Sequence, residues 1–227
     1  MRFKHFLTEN IILPDESIIN TVISHLISVR LRHKSLDVNK LEELLSQNKA
    51  KIGFRYTPNE SPNDSYPYGF NSGLVWNNGK IVIIFNKNLT KCFKDNELFH
   101  KSIYHLRMLL QHELIHRVQF DKIQTKSPDK FQTILKKIHI NATQKETKNY
   151  LSIPQEMMSF AKNAIEELKG EGYSEKDILE LIKKYEKNMS ALGDSETFFA
   201  YYLDLNEDKK KFQKFLTYMY KYLKNEI

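Results

Sequence analysis

The sequence predicts an α+β protein, with a small mixed or antiparallel sheet in its first half and helices from there almost to the end. Three short stretches between residues 51 and 86 are rich in β-branched and aromatic residues and bounded by turn-forming ones, as strands are. From about residue 96 onward, apolar residues recur every three or four positions, which is typical of helices. A chain of 227 residues is long enough to bury one core, with or without a helical appendage.

The first half begins with two predicted helices, over 15–31 and 37–47. Asp15 is suited to cap the first of them, because its carboxylate can accept hydrogen bonds from the orphan amides of a first helical turn. Strands are predicted over 51–56, 73–76 and 80–86. The last strand reads KIVIIFN, is almost wholly apolar and follows the hairpin-turn signal Asn-Asn-Gly at 77–79. The Pro- and Gly-rich stretch 58–73 predicts a long loop.

The second half is predicted to be helical. Ser152-Ile-Pro-Gln155 is typical of a helix start, with Ser152 as cap and Pro154 in the first turn, and Gly170 is expected to end that helix. Ser174 and Asp177 favour the start of a further helix. The predicted helices span 97–120, 129–139, 152–170, 174–188 and 195–224. We interpret the aromatic residues of the last stretch as core; among them are Phe198, Phe199, Tyr202, Phe212 and Phe215.

These elements predict three parts that together form one compact unit. The N-terminal helices occupy 1–50, the sheet and a long helix occupy 51–120, and a helical subdomain occupies 121–227. Such a division follows the change from a strand period to a helical period near residue 96.

Composition narrows the classes of protein to which the chain can belong. Hydrophobic residues make up 41% and charged residues 28%, the balance of an ordinary globular protein, and no apolar run approaches the length of a membrane helix. Cys92 is the single cysteine, so no intrachain disulfide can form, and we expect a cytoplasmic protein. The net charge is +7, but no nucleic-acid-binding motif accompanies it, so we expect a lysine-rich surface and not a nucleic-acid partner.

The string HELIH at 112–116 contains residues suited to binding a metal ion and to general-base catalysis. Residues four apart on a helix lie about 40° apart around its axis, so His112 and His116 project from one face and can bind one cation. Glu113 lies about 100° away, where its carboxylate can take the proton of a metal-bound water as that water attacks a carbonyl group. A chain of this composition would contain such a string about 0.02 times by chance.

HELIH on a helix that follows a sheet resembles the active-site motif of the zincin metallopeptidases. The resemblance in residue identity covers about five to ten residues, and the order of elements extends it over roughly 50–170. It implies a Zn²⁺ cofactor and a strand that lines the cleft and pairs with an extended substrate. KIVIIFN at 80–86 occupies the place of that strand.

A catalytic zinc site needs a third protein ligand, and the resemblance implies where to look for it. The longer zincin motif HExxHxxGxxH is absent, because Gln119 and Lys122 stand where it has glycine and histidine. The gluzincin branch uses a glutamate on a later helix, which indicates Glu156, although Phe160 stands where that branch usually carries an aspartate.

Other residues compete for the role of third ligand. Glu196 also begins an apolar helix, and Glu146 and Asp121 are weaker alternatives. Tyr150 and His139 are candidates for the group that stabilises the oxyanion.

We therefore expect a zinc metallopeptidase that acts on a polypeptide. Two alternatives stay open, a zinc amide hydrolase with a non-protein substrate and a non-catalytic zincin-like binding protein. An intact Glu113 favours an enzyme, because a binding scaffold has no use for a general base. The substrate preference and the oligomeric state do not follow from the sequence.

Overall fold

A computed structural model describes residues 12–33, 37–58, 68–75, 80–126, 153–184 and 209–224. The chain divides into two compact units, residues 14–117 and residues 118–227 with 1–13. The predicted α+β class is confirmed, with a three-stranded mixed sheet, a long helix that carries His112 and His116, and helices after it. The three-part organisation into 1–50, 51–120 and 121–227 stays a prediction.

The elements of the unit 14–117 follow the predicted order, with one short helix, α3, that was not predicted. They are α1 (Glu16–Arg32), α2 (Val38–Ser46), β1 (Gly53–Tyr56), β2 (Phe70–Val75), β3 (Ile81–Phe85), α3 (Asn88–Cys92) and α4 (Asn96–Lys126), whose last residues belong to the other unit. Asp15 caps α1 as predicted, since its carboxylate accepts hydrogen bonds from the amides of Ser17 and Ile18. The Ser17 hydroxyl also donates to it and lowers the pKa of Asp15.

The sheet has the strand order β1-β3-β2, so β3 lies in the centre. It pairs in parallel with β1 and antiparallel with β2. The prediction that KIVIIFN pairs with a substrate is therefore wrong, because both backbone edges of this strand are already hydrogen-bonded within the sheet. Its continuous apolar sequence is instead that of a central strand, in which Ile81, Ile83 and Phe85 are buried.

Strand β2 begins earlier than predicted, at Phe70 instead of residue 73. Gly69 precedes it with φ of 88°, a left-handed conformation that favours glycine. The Gly69 carbonyl accepts a hydrogen bond of 2.8 Å from the Asn86 amide, and the Ser102 hydroxyl on α4 donates to the Tyr68 carbonyl over 2.7 Å. These contacts between distant parts of the chain extend the strand into residues 70–72, whose local sequence predicts a loop.

Apolar side chains from the helices and the sheet form the core of this unit. Its fully buried members include Ile19, Leu26, Leu45, Phe70, Ile83, Phe85, Leu106 and Leu110. Cys92 is also buried there, as expected for a small hydrophobic residue, and burial raises the pKa of its thiol.

The unit that contains the C-terminus includes α5 (Pro154–Gly170), α6 (Glu175–Lys184) and α7 (Lys209–Lys224). The predicted cap of α5 is wrong, because the N-cap is Ile153 and its side chain makes no capping hydrogen bond. Pro154 lies in the first turn as predicted. The helix includes Gly170, and the glycine that turns the chain is Gly172, whose φ is 93°.

Helix α6 starts with the predicted pair. The Ser174 hydroxyl accepts a hydrogen bond from the Asp177 amide, and the Asp177 carboxylate accepts one from the Ser174 amide, which forms a capping box. The residues of α7 that were predicted to be core are buried, namely Phe212, Phe215, Leu216, Met219 and Leu223. Phe198, Phe199, Tyr202 and the predicted helix 129–139 lie outside the described residues.

Replacing Tyr222 with phenylalanine should destabilise the protein by about 1–3 kcal/mol. The buried Tyr222 hydroxyl donates a 2.9 Å hydrogen bond to the carbonyl of Ile12, and burial raises the pKa of this phenol. The variant leaves that carbonyl buried without this donor. Urea unfolding measures the change in free energy, with Tyr104→Phe at an exposed position as control. Equal unfolding free energies for the two variants would contradict the prediction.

Within the described ranges, none of the helices combines the length and the apolar character that crossing a membrane requires.

Candidate metal centre

The HELIH string lies within α4, and its polar side chains are buried along with its apolar ones. His112, Glu113 and His116 are 7%, 6% and 5% exposed. A surface helix with two solvated histidines would leave these side chains in water. Burial of three ionisable groups within two helical turns is costly unless they are paired or bind a metal ion.

The two imidazoles converge. Their Nε2 atoms lie 2.9 Å apart, the ring centroids are 4.5 Å apart and the ring planes cross at 85°. At this distance one ring can donate a hydrogen bond to the other, and both nitrogens are near enough to bind one ion placed between them. The predicted geometry of residues one helical turn apart is thus present in the structure.

Glu156 completes a group of three potential ligands. It lies in the first turn of α5 and is 1% exposed. One carboxylate oxygen of Glu156 and one nitrogen from each of His112 and His116 all lie within 4.8 Å of one another. An acid that only complements a helix dipole is usually exposed, whereas this carboxylate is buried beside two imidazoles. These three residues form a possible metal-binding site.

The donor set fits a divalent transition metal ion. Two imidazoles and one carboxylate would supply three protein ligands, the number that a catalytic zinc site uses when its fourth ligand is water. Two imidazoles and one carboxylate hold zinc in some hydrolytic enzymes, and the same donors also bind other divalent ions, iron(II) among them.

Polar contacts hold the first turn of α5, which carries Glu156. The side-chain amide of Gln119 donates to the Gln155 carbonyl and to the sulfur of Met158, each over 3.4 Å. The Ser159 hydroxyl donates to the same carbonyl over 3.3 Å. In the sequence Gln119 is a departure from the longer motif, although its place one turn after His116 could have indicated this role.

Glu113 lies against strand β2. A Cβ atom placed on Gly73 would stand 2.8 Å from both Cδ and Oε1 of Glu113. The strand next to the candidate base is therefore β2 and not KIVIIFN, whose place in the sequence had indicated the cleft. A lone glycine inside a strand pattern often marks such a close approach, and this signal at Gly73 was missed.

The remaining candidates are not brought to this site among the described residues. Asp121 on α4 is exposed. Tyr150, His139, Glu146 and Glu196 lie outside the described residues, so the oxyanion stabiliser stays a prediction.

Comparisons of the chain with models of known protein families, with curated proteins and with solved structures gave no match. The residues of the site and their geometry are therefore the guide to what the protein does. That geometry supports a metal-dependent hydrolase.

Proposed function

We propose that the protein is a zinc-dependent peptidase that hydrolyses peptide bonds with a water molecule. The observation that carries this proposal is the buried group of His112, His116 and Glu156, whose ligand atoms lie within 4.8 Å of one another. The same three residue types hold zinc in hydrolytic enzymes with an open fourth position.

In this proposal His112, His116 and Glu156 hold the ion. A zinc ion bound there lowers the pKa of water toward about 7 and polarises the carbonyl of the substrate. Neutral imidazoles leave most of the positive charge on the ion, and the single carboxylate fixes it in place. The low exposure of all three side chains keeps bulk water from competing for the ligand atoms.

Glu113 is the proposed general base. Its carboxylate accepts the proton of the attacking water and then gives it to the amine that leaves. Its place beside His112 on α4, its 6% exposure and its contact with β2 support this role, because a catalytic base needs a defined direction.

A polypeptide is the proposed substrate because β2 lies beside Glu113 and at the edge of the sheet. Among the described residues, β2 pairs only with β3. The other edge of β2 can therefore offer amides and carbonyls to an extended chain, which would bind as an added strand.

The buried thiol of the single cysteine fits the proposed cytoplasmic location.

Metal analysis and chelation test this function. The full chain, purified without chelator, should contain about one zinc ion per molecule and should cleave a pool of fluorogenic peptides. Treatment with 1,10-phenanthroline should abolish cleavage, and added zinc should restore it. The variant His116→Ala should lose both zinc and activity, whereas His100→Ala, at an exposed position on the same helix, should keep both.

Each failure has a distinct meaning. A chain that binds no zinc under these conditions would overturn the metal site itself. Bound zinc with cleavage of small amides but not of peptides would identify a non-protein substrate. Bound zinc without any hydrolysis would identify a binding protein.

A further inference from the structure

The backbone dihedral angles at residue 73 do not require glycine. Among the described glycines, Gly69 and Gly172 have positive φ, and Gly73 does not. Alanine can therefore adopt its backbone conformation. A glycine inside a strand usually weakens it, because it gains no packing and loses more conformational freedom on folding. A reason for glycine at this position must lie in the space around it.

The side chain of Glu113 occupies that space. The nearest atoms to a Cβ on Gly73 would be Cγ, Cδ and Oε1 of Glu113, with Cδ and Oε1 at 2.8 Å and Cγ nearer still. Gly53 in the same sheet provides a comparison. A Cβ there would meet Val82 Cγ2 at 3.2 Å, a contact that a small side-chain movement relieves.

Two contacts join the segment that contains Gly73 to α4, one at Ser102 and one at Glu113. Ser102 donates to the Tyr68 carbonyl and so fixes the start of the strand to the helix. Ser102 and Glu113 are eleven residues apart, which brings them within about 20° of the same face of α4 and separates them by about 16 Å. Tyr68 and Gly73 are five residues apart; Tyr68 and Gly69 precede β2, and an extended chain of this length spans at most about 18 Å. The segment is therefore long enough to contact α4 both at Ser102 and at Glu113.

We propose that Gly73 is a positioning residue for Glu113. The absent side chain opens a slot against the strand backbone, and the carboxylate of Glu113 occupies it. The walls of this slot restrict the rotamers of Glu113 and so hold the carboxylate in one direction. The catalytic consequence rests on the proposed function, while the steric part of the inference does not.

A double-mutant cycle measures the steric part. Gly73→Ala should lower the melting temperature by about 3–10 °C, as overpacking does. In a Glu113→Ala background the same change should cost nothing or raise the melting temperature slightly, because the slot is empty and alanine suits a strand better. In a Glu113→Gln background the cost should return, since glutamine has the volume of glutamate. Gly53→Ala should change the melting temperature by the same small amount in the wild-type, Glu113→Ala and Glu113→Gln proteins.

Steady-state kinetics and metal analysis measure the positioning part. A displacement of about 1 Å should lower kcat about 100-fold in Gly73→Ala, with KM and zinc content near those of the wild type. Equal destabilisation by Gly73→Ala in the wild-type and Glu113→Ala backgrounds would overturn the inference, and so would an unchanged kcat. A wild-type protein that shows no zinc-dependent hydrolysis would contradict the proposed function, and the melting temperatures would still test the steric part of the inference.

Discussion

Replacing Glu113 with glutamine should lower the rate of peptide hydrolysis by about 10²- to 10⁴-fold, the contribution of a general base. Glutamine keeps the size of the side chain and its fit against β2 but cannot accept a proton. The residue is not among the three potential ligands of the ion. Zinc content and fold should therefore stay unchanged, and the loss should appear in kcat.

The measurement compares kcat, KM and zinc content for both proteins. Glu97→Gln is the matched control, because Glu97 lies on the same helix and is exposed in its ion pair with Lys101. We expect the control to keep full activity. A Glu113→Gln variant that retains wild-type kcat would contradict the role of this carboxylate, and parallel loss of zinc would place it among the ligands.

Replacing Glu156 with glutamine should weaken zinc binding by more than about 100-fold. Residues that only orient a ligand already contribute 10- to 100-fold to metal affinity, so removal of a direct anionic ligand should cost more. Two imidazoles alone also leave the ion without the negative charge that offsets its own. Competition with a fluorescent zinc chelator measures the dissociation constants of the variant and the wild type.

Thermal unfolding provides a second readout for Glu156. Zinc that binds only the folded chain raises the melting temperature, and the rise grows with the ratio of free zinc to the dissociation constant. At a zinc concentration that saturates the wild type, Glu156→Gln should show a much smaller rise. Glu171→Gln, at the exposed C-terminal end of the same helix, should respond as the wild type does.

A third variant separates Glu156 from its main rival. Glu196 was the alternative third ligand in the sequence. If Glu196→Gln lowers zinc affinity and Glu156→Gln does not, the assignment of Glu156 is wrong. We expect the reverse, because the oxygen of Glu156 lies within 4.8 Å of both histidine nitrogens.

The sequence by itself determined the features that depend on neighbours along the chain. Helical periodicity placed α1, α2 and the start of α4 within a residue of their observed bounds, while α4 ends six residues later than predicted. Ser174 and Asp177 indicated the start of α6. The spacing of His112 and His116 placed both rings on one face, since a helix has a fixed number of residues per turn. Glu156 came from the resemblance, and its burial beside the histidines agrees with that choice.

The tertiary structure alone decided the features that depend on distant residues. The central position of KIVIIFN follows from its pairing with two other strands. The sequence of an apolar strand is similar whether the strand borders a cleft or lies in the centre of a sheet. The start of β2 at Phe70 follows from contacts with Asn86 and Ser102. The apposition of Gly73 and Glu113, forty positions apart, arises where β2 packs against α4. A glycine inside a strand indicates a close approach but does not identify Glu113 as the neighbour.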